Sequence, residues 1–414
     1  MTWKKSEISI LIMLLLIGVV GILAVAVPGL VDRDSPLGEE VPAATNPSSP
    51  SPLGYNSEDF TLVKFVEEEG TGADGISDTG LDPAMLEEES RALLVNFTER
   101  FGGSVAPRYF GLAGITPPED AKIGAYLFRV LPTGETVQYI GLCGREYQEY
   151  SGVLARADEW EESQLIPRTD GTLTMGSNPQ PIATVTMDCE YTRMEYGEDY
   201  GYAGITSTLS WNCEENDRFN DYFFVRTTAD VDPGIHRSSG GVFRNHIFEI
   251  SHDWMYHDSP RDKSLPYACI SDYDPGMPPG PAEVEISLMP RATGSPGTPL
   301  SWWTCAIPDG EVWDDSHPAD ELAKWDLTFE YDGGDSQTNF TFDPGSTATC
   351  LQSSARDGQP HSVCRIEMDC RQGWFYDGFL FFDKVGPENA GPLGYTLSAQ
   401  WVGDHEVQRE EAPP

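Results

Sequence analysis

The sequence predicts an all-β ectodomain, built as two disulfide-stapled, β-sandwich-like domains, behind a single N-terminal transmembrane helix. An uncharged run from Ile8 to Leu30, preceded by Lys4 and Lys5, predicts the helix, because such a run spans a hydrocarbon core of ~30 Å. Beyond about residue 108, apolar and polar residues alternate in short runs, and the chain holds 41 Gly and 32 Pro. Alternation of this kind between turn-forming residues is typical of half-buried strands.

The basic N-terminal flank predicts the orientation of the anchor. Lysines beside a membrane span tend to stay in the cytoplasm, so residues 1–7 form a cytoplasmic stub and the bulk of the chain is extracellular, at the cell membrane. Cleavage as a signal peptide after Ala24-Val25-Ala26 is the alternative. The apolar regions of signal peptides usually have ~7–15 residues, which is shorter than this run and favours a retained anchor.

Composition shifts divide the chain into six predicted segments. Proline and serine between the anchor and the first strand form a spacer that cannot bury a core. In the acidic segment, Asp82 can cap a helix, Pro83 fits its first turn, and Leu86, Leu94 and Phe97 give a helical apolar stripe. The segments are the stub 1–7, the anchor 8–30, the linker 31–58, the acidic segment 59–104 with one amphipathic helix, a β-rich domain 105–258 and a second β-rich domain 259–414.

A weak internal repeat supports the division into two β-rich domains. Val185-Thr-Met-Asp-Cys189 resembles Ile366-Glu-Met-Asp-Cys370. A Thr-Leu-Ser segment follows each copy, at 208–210 and at 396–398. Chance similarity between short strands is the alternative, since strands draw on few residue types.

The net charge of −41 limits the partners of the ectodomain. Repulsion on this scale argues against nucleic acid and anionic lipid as its partners. A divalent cation such as calcium suits an acidic surface, and Asp74, Asp78 and Asp82 offer a weak calcium loop, with a plain polar loop as the alternative. No other cofactor is predicted.

The cysteines favour disulfides, since an even number in an external compartment is typical of oxidised proteins. Cys189 and Cys213 are the first choice for a pair, because Cys189 shares a predicted core face with Val185 and Cys213 ends the strand of the same repeat unit. A separation of more than ~7 Å between their Cα atoms would exclude this pair. Zinc is disfavoured because no C-x2-C pair is present. The eight cysteines are Cys143, Cys189, Cys213, Cys269, Cys305, Cys350, Cys364 and Cys370.

One histidine-rich segment is a weak candidate metal site. His246, His252 and His257, together with Asp258, carry suitable ligand atoms. Their spacing matches no recognised ligand pattern, so ordinary surface and interface histidines are the competing interpretation.

No catalytic residue is predicted. Neither a G-x-S-x-G nor an H-E-x-x-H pattern occurs. Paired carboxylates of a glycoside hydrolase leave little trace in so acidic a chain.

Exposed aromatic and amide groups are the remaining candidates for surface chemistry. Trp302-Trp303 and Trp374 can stack on sugars, or else fill the core of a thin sandwich. Asn96 and Asn339 begin N-x-T sequons and are glycosylation candidates.

Two segments carry a family resemblance. Lys4-Lys5-Ser6 ahead of the apolar helix resembles the class III signal of archaeal type IV pilin-like, membrane-anchored surface proteins, although Glu7 departs from that pattern. The region from Glu283 to Gly310, with Gly297-Thr-Pro-Leu, is similar to a strand, glycine loop and strand of their ectodomains. The resemblance implies cleavage after Ser6 and assembly of a filament through the apolar helix.

These observations predict a membrane-anchored extracellular non-catalytic surface protein, either an adhesion or binding module or a pilin-like structural subunit. Its expected partners are the membrane, through residues 8–30, and other surface proteins or glycans. The alternative function is an anchored secreted hydrolase that acts on glycans through paired carboxylates.

The predicted topology can be tested with protease added to intact cells. We expect degradation of the whole chain beyond the linker at 31–58, because the positively charged flank holds only the stub inside. Immunoblotting with antibodies against the ectodomain measures the loss, and lysed cells are the control. Protection of the large domain in intact cells would contradict the topology.

Overall fold

The computed structural model describes the greater part of the chain beyond Tyr55. The described ranges are 55–66, 80–101, 109–118, 121–144, 150–165, 179–193, 198–212, 220–237, 242–254, 268–275, 282–288, 301–308, 311–330, 336–351, 360–377, 382–385 and 393–402. The predicted anchor at 8–30 and most of the linker lie outside these ranges.

Strands dominate the described residues, as the alternating sequence pattern predicts. The strands are β1 Thr61–Phe65, β2 Phe110–Ile115, β3 Ala121–Val130, β4 Thr136–Gly144, β5 Gln180–Arg193, β6 Glu198–Trp211, β7 Asn220–Pro233, β8 Phe243–Asp253, β9 Ala268–Asp274, β10 Ala282–Leu288, β11 Ser301–Ile307, β12 Glu311–Asp314, β13 Leu322–Thr328, β14 Phe340–Phe342, β15 Gly345–Leu351, β16 Pro360–Asp377, β17 Phe382–Val385 and β18 Leu393–Val402. The helices are α1 Pro83–Phe101, α2 Tyr150–Leu165 and α3 Gly234–Arg237, with 3-10 turns at Ser57–Phe60 and Pro318–Asp320.

Two large sheets contain most of these strands. A nine-stranded sheet has the order β1-β3-β4-β5-β6-β7-β15-β9, with β14 also paired to β7. A seven-stranded sheet has the order β12-β13-β8-β16-β18-β2, with β17 paired to β16, and β10 and β11 form a separate pair. Among the described pairings only β4 and β5 run parallel, and α2 supplies the crossover that a parallel pair requires.

Strands from both predicted β-rich ranges share these sheets. In the seven-stranded sheet β8 pairs with β13 and β16, and β2 pairs with β18. In the nine-stranded sheet β7 pairs with β14 and β15. A division near residue 258 therefore does not separate two sheet systems, and residues 49–414 form one compact unit.

The two segments of the weak internal repeat occupy equivalent positions in different sheets. Val185–Cys189 lies on β5, whose antiparallel neighbour β6 carries the first Thr-Leu-Ser segment. Ile366–Cys370 lies on β16, whose antiparallel neighbour β18 carries the second. Each sheet thus contains one strand pair built from similar segments.

The two large sheets pack face to face around an aromatic core. Trp374 of the seven-stranded sheet lies against Tyr191 and Tyr200 of the other sheet, with ring centroids 5.0 and 6.0 Å apart. Trp254 and Trp325 are also fully buried between the sheets. Because each buried aromatic removes a large apolar area from water, these side chains hold the two layers together.

The sheets approach each other very closely where β2 crosses β5. A Cβ atom added to Gly111 would lie 2.0 Å from the Cβ of Ala183. Hydrogen bonds join the layers at the same place: the Thr136 hydroxyl donates to the Gly111 carbonyl at 2.7 Å, and the Ala113 N–H donates to the Gln138 side chain at 3.3 Å. Only glycine fits at position 111 without separating the sheets.

Helix α1 confirms the predicted amphipathic helix. Asp82 accepts a hydrogen bond from the Ala84 N–H at 3.0 Å and so caps the helix, as predicted. Leu86, Leu94 and Phe97 are buried against β2 and β3. The helix covers the end of the sandwich where one edge of each large sheet lies.

Helix α2 was not predicted, because the sequence indicated only strands beyond about residue 108. Its buried stripe consists of Val153 and Ala157, which pack with Tyr139 on the outer side of the nine-stranded sheet. So small an apolar stripe gives a weak periodic signal, and packing against the sheet supplies most of the stability of such a helix.

The apolar and polar residues of the alternating runs lie on opposite sides of most of the described strands. Cys364, Ile366, Met368 and Cys370 point into the core and are fully buried. On β10, Ile286 and Leu288 are buried, whereas Glu283 and Glu285 are exposed. On β5 the polar Asp188 is also buried, because the side chains of Tyr139 and Arg156 lie against it.

The predicted disulfide framework is not formed in the structure. No disulfide joins the seven described cysteines. Cys189 is fully buried on the core side of β5, and its predicted partner Cys213 lies outside the described residues. None of the helices in the described ranges is long and apolar enough to cross a bilayer.

The close approach of β2 and β5 predicts different effects of alanine substitution at two glycines of one strand. We expect Gly111→Ala to lower the free energy of unfolding by about 1–3 kcal/mol, because the added methyl group overpacks the interface. Gly114→Ala is the matched control, since its added Cβ would meet its nearest atoms at 3.6 and 3.9 Å, and we expect a change within about 0.5 kcal/mol. Denaturant unfolding of both variants measures the difference, and equal stabilities would contradict this packing.

Candidate functional site

The outer side of the seven-stranded sheet is the candidate functional site, and we call it the charged face. It consists of the side chains that alternate with the core residues on β13, β8, β16 and β18. Because directly opposite residues of an antiparallel pair share one side of the sheet, the strand register places these groups in rows. The charged face comprises Lys324, Asp326, Glu249, Ser251, Asp253, Arg365, Glu367, Asp369, Arg371 and Thr396.

One row of the charged face ends in an exposed tryptophan. Asp326 lies opposite Glu249, and Glu249 lies opposite Arg371. On the edge strand β12, Trp313 lies opposite Asp326 and is 53% exposed. A large flat ring therefore stands beside a line of carboxylate and guanidinium groups.

Lys324 links several carboxylates at the centre of this face. Its Nζ atom lies 3.0 Å from Asp326, 3.5 Å from Asp315 and 3.8 Å from Glu249. Partial burial acts to lower the pKa of Lys324, but the hydrogen bond and charge of Asp326, with the other carboxylates, outweigh it and raise the pKa. The ammonium group is therefore held in its charged form.

Asp369 occupies the next row, opposite Ser251 on one side and Gly394 on the other. Burial, and then the charge of Glu367, raise the pKa of Asp369 to about 6. A Cβ atom at position 394 would lie 2.3 Å from the Asp369 carboxylate. Glycine at this position therefore leaves room for the carboxylate.

Three open depressions lie side by side along the charged face. One of about 160 Å³ is lined by Lys324, Asp369 and Arg371. A second of about 220 Å³ lies between Asp369 and the Pro117–Pro118 segment. The third, of about 250 Å³, lies beside helix α1 and is lined by Arg91 and Arg365. All three are smaller than the enclosed pockets of ~300–1,000 Å³ that typically hold small molecules. Their shape favours a ligand that lies across the surface over one that is enclosed.

The two described histidines of the predicted metal site do not form one. His252 is fully buried, and its Nδ1 atom lies 2.8 Å from the hydroxyl of Ser346. The strand register shifts where β8 meets Gly373 and Trp374, and His246 falls at this irregularity, with its ring 4.1 Å from that of Phe375. Among the described residues no group of three or more potential ligands could hold a metal ion.

The other members of the predicted cation sites lie elsewhere. His257, Asp258, Asp74 and Asp78 fall outside the described residues. The carboxylate of Asp82 instead caps helix α1.

A second polar cluster lies on the outer side of the nine-stranded sheet. Arg156 bonds Glu190 at 3.2 Å, and its guanidinium carbon lies 4.2 Å from the centre of the Tyr202 ring. Below it, Tyr139 donates a hydrogen bond to Asp188 at 2.8 Å, and burial raises the pKa of Asp188 to about 6. The charged groups of this cluster pair with one another, as they do in a structural ion-pair network.

The candidate sugar-stacking tryptophans are core residues where they are described. Trp303 and Trp374 are both buried, whereas the side chain of Trp302 lies outside the described part. The sequence pattern does not single out Trp313, because β12 has only four residues. The alternation of Glu311, Val312 and Trp313 is a local signal, but it is too short to identify a strand.

The two glycosylation candidates are both on the surface. Asn96 is exposed on α1, but Thr98 of the same sequon is buried and donates a hydrogen bond to the Leu94 carbonyl. Asn339 is exposed at the rim of a cavity of about 330 Å³ beside Arg156. Thr341 of that sequon is also exposed.

Comparison with known proteins identifies no family for this chain. No protein-family profile matches it, and no curated protein matches it. Among solved structures, the Clostridium perfringens NetB toxin in its membrane inserted form aligns with 52% of this chain and 91% of its own, at 9% identity and a TM-score of 0.19. So slight a likeness carries no argument about fold or function.

Burial of His252 predicts a specific dependence of stability on pH. Burial lowers the pKa of His252 to about 3, whereas the unfolded chain has a pKa near 6.5. The unfolded state therefore binds one more proton between these values, and the His252 contribution to stability is lost as the pH falls from about 6.5 towards 3.

We expect His252→Phe to reduce the slope of unfolding free energy against pH by up to about 1.4 kcal/mol per pH unit between pH 6 and 4. Denaturant unfolding at several pH values measures this slope. The exposed His317→Phe variant is the control and should leave the slope nearly unchanged. An identical slope for the His252 variant and the wild type would contradict the burial of a neutral imidazole.

Proposed function

We propose that this chain is a membrane-anchored extracellular binding protein that contacts glycans through the charged face. The anchor at residues 8–30 and the linker at 31–58 hold the β-sandwich outside the cell. Its cysteines are in an oxidising compartment. This function is non-catalytic, and a pilin-like assembly through the apolar N-terminus is a further form that it can take.

The observation that carries the proposal is the exposed Trp313 at the end of the row formed with Asp326, Glu249 and Arg371. Most large aromatic side chains with described burial are buried, so an indole that is 53% exposed stands out. An aromatic ring offers a flat apolar surface, and the apolar face of a sugar ring can stack on it. The adjacent carboxylate and guanidinium groups can accept and donate hydrogen bonds to sugar hydroxyls.

The shape of the charged face also supports binding. The three depressions are open, and they adjoin one another at Asp369 and at Thr396. An extended chain of sugar units can lie across them and contact each in turn. The carboxylates alternate with Lys324, Arg371 and Arg365, so the face suits a polar, neutral ligand better than a strongly charged one.

A hydrolase that acts on glycans is the second candidate, and one observation favours it. Asp369 has a raised pKa of about 6 and shares the outer side of β16 with Glu367. Asp253 lies directly opposite Glu367 on the neighbouring strand. Glycoside hydrolysis uses a pair of carboxyl groups of which one has a raised pKa.

Replacement of Trp313 tests the binding proposal. A polysaccharide panel first identifies the glycans that the full-length protein binds. We expect Trp313→Ala to raise the Kd for these glycans tenfold or more, which is a loss of about 1.4 kcal/mol of binding free energy. Loss of the stacking surface is the physical reason. Binding is measured with detergent-solubilised protein on immobilised polysaccharides.

Met85→Ala is the matched control, because Met85 is 56% exposed but lies on helix α1. Equal binding by Trp313→Ala and the wild type would sink the proposed site. Release of reducing ends from the same panel, abolished by Asp369→Asn, would instead establish the hydrolase.

A further inference from the structure

Two buried cysteines face each other between the sheets. Cys350 lies on β15 of the nine-stranded sheet, and Cys364 lies on β16 of the seven-stranded sheet. Both side chains are fully buried. Their side chains are close enough to influence each other, and β15 and β16 are in contact across the core.

Other described cysteines have different surroundings. Cys143 lies in the separate cluster beneath α2. The thiols of Cys189 and Cys305 donate to backbone carbonyls at 3.7 Å, and Cys370 lies 3.6 Å from the side-chain nitrogen of Gln372. Each of these four thiols has its own neighbours, whereas Cys350 has Cys364 beside it across the core.

We propose that Cys350 and Cys364 form a disulfide that joins the two sheets in the mature protein. This inference rests on the external location in the proposed function, but not on the charged face. The bond would close a short segment, residues 351–363, at the point where the chain crosses from one sheet to the other. It was not predicted from the sequence, where Cys189 and Cys213 were the preferred pair.

The bond forms by exchange with an oxidising protein disulfide. The Cys364 thiolate attacks that disulfide, which gives a mixed disulfide and releases one thiolate of the oxidant. The Cys350 thiolate then attacks the Cys364 sulfur, forms the new bond and releases the second thiolate. Two electrons pass to the oxidant, which becomes a dithiol, and the two thiol protons are transferred with them.

The exchange takes place before the sandwich closes. Burial, and then the contact with Cys364, raise the pKa of Cys350 well above its ordinary value. A thiol in this environment rarely forms the thiolate that exchange requires. Once the sheets have packed, burial also keeps reductants away from the bond.

Peptide mapping of the full chain tests the proposal without a variant. Protein from intact cells is denatured in iodoacetamide without reductant and digested with trypsin. Cleavage after Lys324, Arg356, Arg365 and Arg371 places Cys350, Cys364 and Cys370 on three different peptides. We expect the peptides 325–356 and 357–365 to appear as one species, two hydrogens lighter than their sum, which separates on reduction.

Alkylation of both thiols, or a link from either to another cysteine, would overturn the proposal. After such an alkylation result, the reduced protein is refolded with oxidised glutathione. A 350–364 link formed there would show that the thiols are correctly placed and that the compartment is reducing, which counts against the proposed surface location. No link would show that the placement of the thiols is at fault.

Thermal unfolding gives an independent measurement. Removal of the link by Cys350→Ala with Cys364→Ala should lower the midpoint of thermal unfolding by about 3–8 °C under oxidising conditions. A phosphine reductant should then lower the midpoint of the double variant by less than it lowers that of the wild type. Cys143→Ser is the matched control and should keep the full sensitivity to the reductant. Equal sensitivity in the double variant and the wild type would contradict the bond.

Discussion

The close packing of β2 on β5 is the constraint on which the rest of the fold depends. At Gly111 the two sheets approach until no side chain fits between them. The chain passes from one sheet to the other several times, so this contact fixes the relative position of strands that are distant in sequence. The hydrogen bond from the Thr136 hydroxyl to the Gly111 carbonyl links the two sheets at this contact.

The positions of the residues on the charged face follow from the burial of the core residues with which they alternate. Each of its residues alternates with a core residue: Ser251, for example, lies between the buried Ile250 and His252. A slip of one position would bury the charges and expose the core. Aromatic packing therefore sets the register, and the register sets the spacing of the polar groups. The charged face is presented by strands rather than by loops, which gives it a fixed geometry.

Much of the fold was predictable because strand alternation is a local signal. The faces of β5, β10, β13 and β16 and the cap of α1 could all be read from consecutive residues. The pairing of β8 with β16 could not, because nothing local distinguishes one alternating strand as the partner of another. Helix α2 could not be predicted because Val153 and Ala157 form too small an apolar stripe. The position of Trp313 beside Asp326 could not be predicted either, because it depends on the pairing of β12 with β13, which no local pattern indicates.

The lysine content bears on the role of the charged face. The chain has seven lysines against 67 acidic residues, and Lys324 is placed among three carboxylates. Partly exposed ion pairs contribute little to stability, typically about 0–1 kcal/mol. Stability alone therefore does not explain this arrangement. By reducing the repulsion between Glu249 and Asp326, Lys324 allows two carboxylates to stand on the side of the sheet that carries Trp313, as the proposed binding surface requires.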